Sequence, residues 1–501
     1  MKNKIHILIF MTIVFSMVFI TSCKKSLSEL NINPNETITT NPEYLFRYSL
    51  KQGICSYNSD VNLKQWGLMN WMMYFATRGG VEPGKEYVVP TGKDAFWQEQ
   101  YADALCNINE VILMTNDIPE DKNKNAAARI WRVWLFHRIT DLWGEIPYSD
   151  ALKGLSELNY TPKYDTQNSI YLSLIDELSN AENTMDSNFS FFDPSADLVC
   201  KGNISTWKKF ANSLRLRLAT RIKYRLPTIY SEQIANLQGK SLINSNSESI
   251  LFPFNSEKKN PVYEASFTGQ AIIQNNPSKF FVDMLVNTND PRTKIFLEKS
   301  PMSVLPWIPK YKGVPNLVLT TDPLWSSYNL DGNWGDISRI GNWFLRNETP
   351  GVIISYSEVC FLKAEAALDG LWTGNAQSLY EDGITANIQF YDVPGDTTWY
   401  VSNTEINTYL QSIPAVNLEQ IITQKWISFG FENGYEAYAE YRRTGFPKFK
   451  KQDGSFISES AIPKRMIYPN FEKTLNNQNY LEAIGRQGAD NEFTKIWWDI
   501  N

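Results

Sequence analysis

Apolar residues recur at intervals of three and four along much of this 501-residue chain, and four pairs of helices account for most of that pattern. In FWQEQYADALCNINEVILM, the residues Trp97, Tyr101, Ala104, Leu105, Ile108 and Ile112 build one apolar stripe, with Asp94 placed to cap its start. A polar loop, NDIPEDKNK, leads to AAARIWRVWLFHRITDLW. That run is apolar on most faces and predicts a buried helix, ended by Gly144 and kept from resuming by Pro147. In the second pair, Tyr171, Leu174, Ile175, Leu178 and Ala181 share one face. Its partner places Trp207, Phe210, Ala211, Leu214 and Leu218 together, with Lys208, Arg215 and Arg221 elsewhere. The third pair opens on Ser355-Tyr356-Ser357-Glu358, a capping-box pattern, and stops at Gly370; its partner helix spans about 376–390. The fourth carries Leu418, Ile421, Ile422, Trp426 and Phe429, then YEAYAEYRR, closed by Gly445 and Pro447.

Four helix pairs in series predict antiparallel hairpins stacked as in tetratricopeptide arrays. The period is uneven: the first two pairs start about 71 residues apart and the last two about 62. The hairpins therefore form a frame for stretches of another kind. Residues 77–96 hold four glycines and two prolines, and the later part of 253–350 is dense in Trp, Tyr, Gly, Asn and Asp with no helical period. Long loops are usually functional or disordered, and so many rings argue against disorder.

The chain starts differently. Lys2 and Lys4 precede an apolar run, Ile5 to Ile20, broken only by His6, Thr12 and Ser16. That run is shorter than the roughly 20 residues of a spanning helix and reads as an export signal. Ile20-Thr21-Ser22-Cys23 resembles a bacterial lipobox, which predicts cleavage after residue 22 and acylation of Cys23. Residues 23–41 are then a lipidated polar tether and 42–501 one domain.

Loss of residues 1–22 removes Lys2 and Lys4, leaving 46 basic against 54 acidic side chains. A mildly acidic chain without a basic block is not expected to bind nucleic acid. Cys55, Cys106, Cys200 and Cys360 are widely scattered with no CxxC pair, which favours buried free thiols over a zinc site. His137, inside an apolar helix, is the one histidine left after signal removal. It reads as a core residue; a His-rich zinc site is excluded, and a Ser-His-Asp triad is left this single, poorly placed candidate. No acidic loop has calcium-site spacing, so the sequence supports no calcium site and leaves metal open; no cofactor or catalytic residue is expected.

ITDLWGEIPYSDA (139–151) resembles the helix-to-loop motif of the SusD/RagB family of outer-membrane nutrient-binding lipoproteins. The resemblance continues in order through PKYDTQNSIYLSLIDELSNA, STWKKFANSLRLRLATRI, NDPRTK, YSEVCFLKAEAALDG, QKWISFGFENGYEAYAEYRRTGFP and IPKRMIYPNFEKTLNNQNY. LNINPNE (30–36) near the mature start is most similar to the subgroup called SusD-like two. The resemblance implies a mainly α fold, with four tetratricopeptide-like hairpins packed against an irregular, loop-rich half. It implies no enzymatic activity, a glycan or peptide ligand, and a partner: a TonB-dependent, SusC-like outer-membrane transporter. It also implies a position outside the cell, although Lys24-Lys25-Ser26 stands where many members carry an acidic export signal.

Sugars offer C–H faces to flat rings and hydroxyl edges to polar groups, and loops on rigid scaffolds commonly present both. The family's ligand loops correspond to 77–96 and 253–350, which makes Tyr74, Arg78 and Tyr87, then Trp307, Trp325, Tyr328 and Trp334, the candidate ligand-binding residues. The rings would stack and Arg78 would recognise hydroxyls or carboxylates. Trp66 and Trp71 are assigned to the core, as are Asp141, Trp143 and the pair Arg442-Arg443 to structure. Three alternatives to an oligosaccharide binder remain: a binder of peptides or amino compounds, whose site would hold charged groups and few stacked rings; a purely structural transporter lid; and a glycosidase. The last needs two facing acids about 5–10 Å apart, and no distinctive pair stands out.

Overall fold

Polar residues just ahead of the apolar stripes start the helices. Thr166, Asn203, Ser355 and Asn417 each accept a hydrogen bond from the backbone N–H three residues on, at 3.0–3.3 Å. Such a cap contributes about 1 kcal/mol. A computed structural model describes residues 40–500, apart from positions 57, 78–86, 155, 269–274, 320, 329–334 and 452. The segment 1–39, with the proposed signal, Cys23 and most of the tether, thus lies outside the described residues.

The frame helices are α1 (Pro42–Ile54), α2 (Cys106–Thr115), α3 (Lys122–Trp143), α4 (Gln167–Thr184), α5 (Ile204–Arg221), α6 (Lys279–Asn287), α7 (Tyr356–Leu368), α8 (Ala376–Phe390), α9 (Asn403–Ser412), α10 (Leu418–Phe429) and α11 (Gly434–Thr444). The hairpins α2–α3, α4–α5, α7–α8 and α10–α11 are the four predicted pairs. Asp94 lies inside a short helix, Lys93–Gln98, whose cap position is Gly92, so it is not the predicted cap. Ahead of α2 the chain runs as a π-helix, Glu99–Leu105. No helix among the described residues is long and apolar enough to cross a membrane.

Short strands tie the connections together: β1 (Phe75–Thr77), β2 (Ile146–Pro147), β3 (Tyr164–Asp165), β4 (Ile250–Phe252), β5 (Asn275–Pro277), β6 (Leu297–Glu298), β7 (Arg339–Ile340) and β8 (Gly351–Ile354). They form two-stranded antiparallel ladders β1–β5, β2–β3, β4–β8 and β6–β7.

The hairpins meet on charge as well as on apolar surface. Arg217 and Arg221 of α5, which the amphipathic reading set apart from the packed face or passed over, are both buried. Arg217 reaches Glu358 of α7 at 2.7 Å and Glu436 of α11 at 3.3 Å. Arg221 reaches Asp141 of α3 at 2.7 Å, Glu436 at 2.5 Å and Glu440 at 3.2 Å. Glu440 also pairs with Lys425 and Arg443, and Arg443 with Glu365. Five helices from all four hairpins thus share one ion network. It explains the half-formed capping box at Ser355: the Glu358 carboxylate turns inward to Arg217 and does not reach back to the cap backbone.

His137 sits in this core, its Nδ1 2.6 Å from the Trp134 carbonyl and its Nε2 3.3 Å from Glu436. Asp141 accepts from Trp498 Nε1 at 3.0 Å and from the Tyr171 hydroxyl, and Trp143 Nε1 donates to the Ile467 carbonyl at 3.0 Å. Arg442 lies over the Tyr438 ring, 3.7 Å from its centroid, and Arg443 pairs with Glu365 at 2.6 Å. Cys55, Cys200 and Cys360 are buried free thiols; Cys106 is free and half-buried.

Candidate functional site

Two features compete for attention: the ring-bearing segments and a cleft. The cleft has a volume of about 930 Å³ and lies between α6, the ends of α9 and α10, and the segment after Pro447. Its floor is rigid. Gln424 of α10 donates to the Tyr409 hydroxyl at 2.9 Å and accepts from Arg292 at 2.5 Å. Arg292 is fully buried and held by Asp290 through two bonds of 2.9 and 2.5 Å. Burial disfavours the guanidinium charge, but Asp290 more than offsets this and keeps it charged. Burial, reinforced by Asp290, pushes the Tyr409 hydroxyl up, so it stays protonated.

The walls are mixed, with Phe280, Met284, Ile413 and Pro414 among polar groups. Thr423 and Gln420 project from α10, and Lys279, Asp283 and Asn287 from α6, where Lys279 pairs with Asp283. Ser278 caps α6 by accepting from Phe281 N–H at 3.0 Å. The rim is a tight turn closed by the Lys450–Phe456 bridge, with Gly454 at φ +83°. That φ suits glycine, which has no Cβ to clash. The turn carries Lys448, Lys450 and Lys451, all exposed, and Phe456, 63% exposed. Lys450 Nζ lies 5.2 Å from the Phe456 ring centroid.

The β1–β5 ladder brings the two ring-bearing segments into register, with Phe75 opposite Pro277 and Thr77 opposite Asn275. The same strand is reached from the other segment: Asn316, which lines the cleft, donates to the Phe75 carbonyl at 2.7 Å. Trp325 is half-buried against Ala76, Val314 and Ile337. Tyr328 is half-buried below Lys312, whose Nζ is 5.4 Å from the ring centroid and pairs with buried Asp336. Tyr87 is half-buried, its hydroxyl 3.8 Å from Met73 Sδ. Trp307 is the open ring of the set, 72% exposed. Arg78 and Trp334 lie outside the described residues.

Tyr74 is corrected. It is 0% exposed, stacks on Trp426 at 4.6 Å with a 10° interplanar angle, and donates to the Trp426 carbonyl at 2.5 Å. With its face and its hydroxyl both used inside the core, it cannot serve as a platform for a ligand. Trp71 is buried as expected, and Trp66 is partly buried against Val61 and Ala265.

The cleft residues were not among the sequence candidates. Their signal was local: PKFKKQDGSF sets three lysines beside an Asp-Gly turn. His137, Asp141 and Glu436 could offer ligand atoms within 4.8 Å of one another. Arg217 and Arg221 already face these carboxylates, so the group works as an ion-paired core.

The family model described as "Starch-binding associating with outer membrane", SusD-like 2, matches residues 34–469. A solved structure named "chitin-binding protein" is 30% identical and superposes with a TM-score of 0.80, covering 92% of this chain and 100% of its own. A Bacteroidetes SusD-like protein follows at 25% identity and 0.79, over 92% of this chain and 100% of that one. A SusD homologue from Bacteroides fragilis, at 20% identity, shares the fold with a TM-score of 0.78 over 92% of this chain and 100% of its own. No functionally curated protein matches the chain in sequence. With matches over nearly its whole described length, the chain belongs to the SusD-like 2 family of outer-membrane nutrient-binding proteins, a family without enzymatic activity.

Proposed function

We propose that this protein is anchored by an acylated Cys23, binds an oligosaccharide at the cell surface, and hands it to a TonB-dependent, SusC-like transporter. Trp307 carries the reading: a large ring 72% exposed on an irregular segment has no packing role there and suits the C–H face of a sugar. The chitin-binding name of the 30% identical structure supports the saccharide class. The lipobox and the family's outer-membrane association support the anchor and the partner. Arg78, Tyr87, Trp325, Tyr328 and Trp334 would complete the ligand surface.

Calorimetric titration of the detergent-solubilised full chain with chito-, cello- and malto-oligosaccharides tests this. At least one should bind, and Trp307→Ala should weaken it by about ten-fold or more. Absence of binding to all three classes, or an unchanged affinity in the variant, would refute the reading. A peptide ligand is the second reading, favoured by the charged groups and few rings of the 930 Å³ cleft; a peptide panel against the same sample tests it.

A further inference from the structure

The cleft's lining differs from the protein around it. The chain carries a net charge of −6, yet four lysines (Lys279, Lys448, Lys450 and Lys451) face the cleft against two carboxylates, Asp283 and Glu419. Asp283 is already committed to Lys279. Lys450 and Lys451 make no ion pair with a described residue, and they sit on a turn whose geometry is fixed from within. Lys451 N–H donates to the Ser455 carbonyl at 2.7 Å, and Gly454 N–H to the Lys451 carbonyl at 3.0 Å. Asp453 accepts from the Ser455 backbone N–H at 2.9 Å, so the one acid of the turn is engaged there. Behind the lysines, Gln420, Thr423, Asn287, Asn289 and Asn316 offer neutral hydrogen-bonding groups, and Phe456 offers an exposed ring. The volume lies toward the upper end of ligand pockets, about 300–1,000 Å³.

Resting on the saccharide reading above, we propose that this cleft recognises the anionic substituents, carboxylate or sulfate, of an acidic oligosaccharide. Ammonium groups act as rotatable point charges and suit anions on a flexible sugar chain. The amides and hydroxyl behind them suit ring hydroxyls. A peptide is the competing occupant, since Phe280, Met284, Ile413 and Pro414 of the lining suit apolar side chains, and the hexaglutamate probe below separates the two. Because the lysines are exposed, their attraction is long-ranged at low salt and screened at high salt.

The test uses the full chain in detergent and calorimetry at about 0.05 and 0.5 M salt. The probes are trigalacturonic acid, a sulfated galacto-oligosaccharide, neutral galactotriose and hexaglutamate. At least one acidic sugar should bind about ten-fold or more tighter than galactotriose at low salt, and lose that advantage at high salt. The two acidic probes tell carboxylate from sulfate. Joint Lys450→Ser and Lys451→Ser should abolish the preference, whereas joint Lys450→Arg and Lys451→Arg should keep it. Equal affinity for neutral and acidic sugars, a preference that survives the serine variant, or binding of hexaglutamate in place of the sugars would overturn the proposal. If no sugar of any charge binds while the chain stays folded, the nutrient reading beneath it falls too.

Discussion

Arg221→Met tests the ion network as a structural element. The side chain is 1% exposed and faces Asp141, Glu436 and Glu440 at 2.7, 2.5 and 3.2 Å. Methionine fills similar space but removes the charge from three buried carboxylates. Breaking a buried pair from one side costs about 3–5 kcal/mol, because the remaining charge is left without compensation. Each acid here keeps another partner: Asp141 keeps Trp498, Glu436 keeps Arg217, and Glu440 keeps Arg443 and Lys425. The expected loss is therefore at the lower end, about 3 kcal/mol. Arg221→Lys, which retains charge but cannot span three acids from three donor positions, should lose less. Urea unfolding followed by far-UV circular dichroism measures both. A loss below about 1 kcal/mol for the methionine variant would show that the hairpins do not depend on the network for their association.

Two carboxyl groups should pull stability in opposite directions with pH. Burial raises Glu365, but Arg443 and Lys223 outweigh it and hold the carboxyl at about 2. Its contribution is thus complete above the ordinary carboxylate range, near 4.3, and lost as the pH falls toward 2. Glu432 is pushed up by burial to about 8, with Lys64 and Arg346 opposing, and its Oε1 is enclosed. Its contribution is complete below the ordinary carboxylate range, near 4.3, and is lost as the pH rises to about 8, so in unfolding titrations Glu432→Gln should flatten the decline between about pH 4.3 and 8. An unchanged slope would contradict the assignment. Gly383→Ala places a Cβ 2.7 Å from the Phe361 ring across the α7–α8 hairpin, and overpacking of this kind costs about 1–3 kcal/mol. An unchanged urea midpoint would mean that the ring yields freely.

The hairpins were legible because each rests on an apolar stripe of helical period, a local property. Arg217 and Arg221 were misplaced because a stripe sorts residues by charge, whereas a buried cation is decided by acids more than 130 residues away, such as Glu358 and Glu436. Tyr74 was misread for a backbone reason. After a π-helix over Asn58–Leu68, Met73 adopts φ +60°, and this turns the chain so that Tyr74 enters the core beside Trp426. The lysine-rich turn at 447–456 left a local signal, but the cleft as a whole was not legible, because its floor and walls come from separate stretches around 279–289, 409–427 and 447–456 and no single window holds them.

The short β1–β5 ladder constrains how such a protein can change its diet. One strand runs straight into the segment at 78–86; the other runs into α6, a wall of the cleft. A one-residue slip in such a pairing turns every side chain to the opposite face. Exchanging one loop for a relative's, without the strand that answers it, would misalign the other half of the proposed ligand surface. Under the function proposed above, grafts meant to redirect ligand preference are expected to need both segments together.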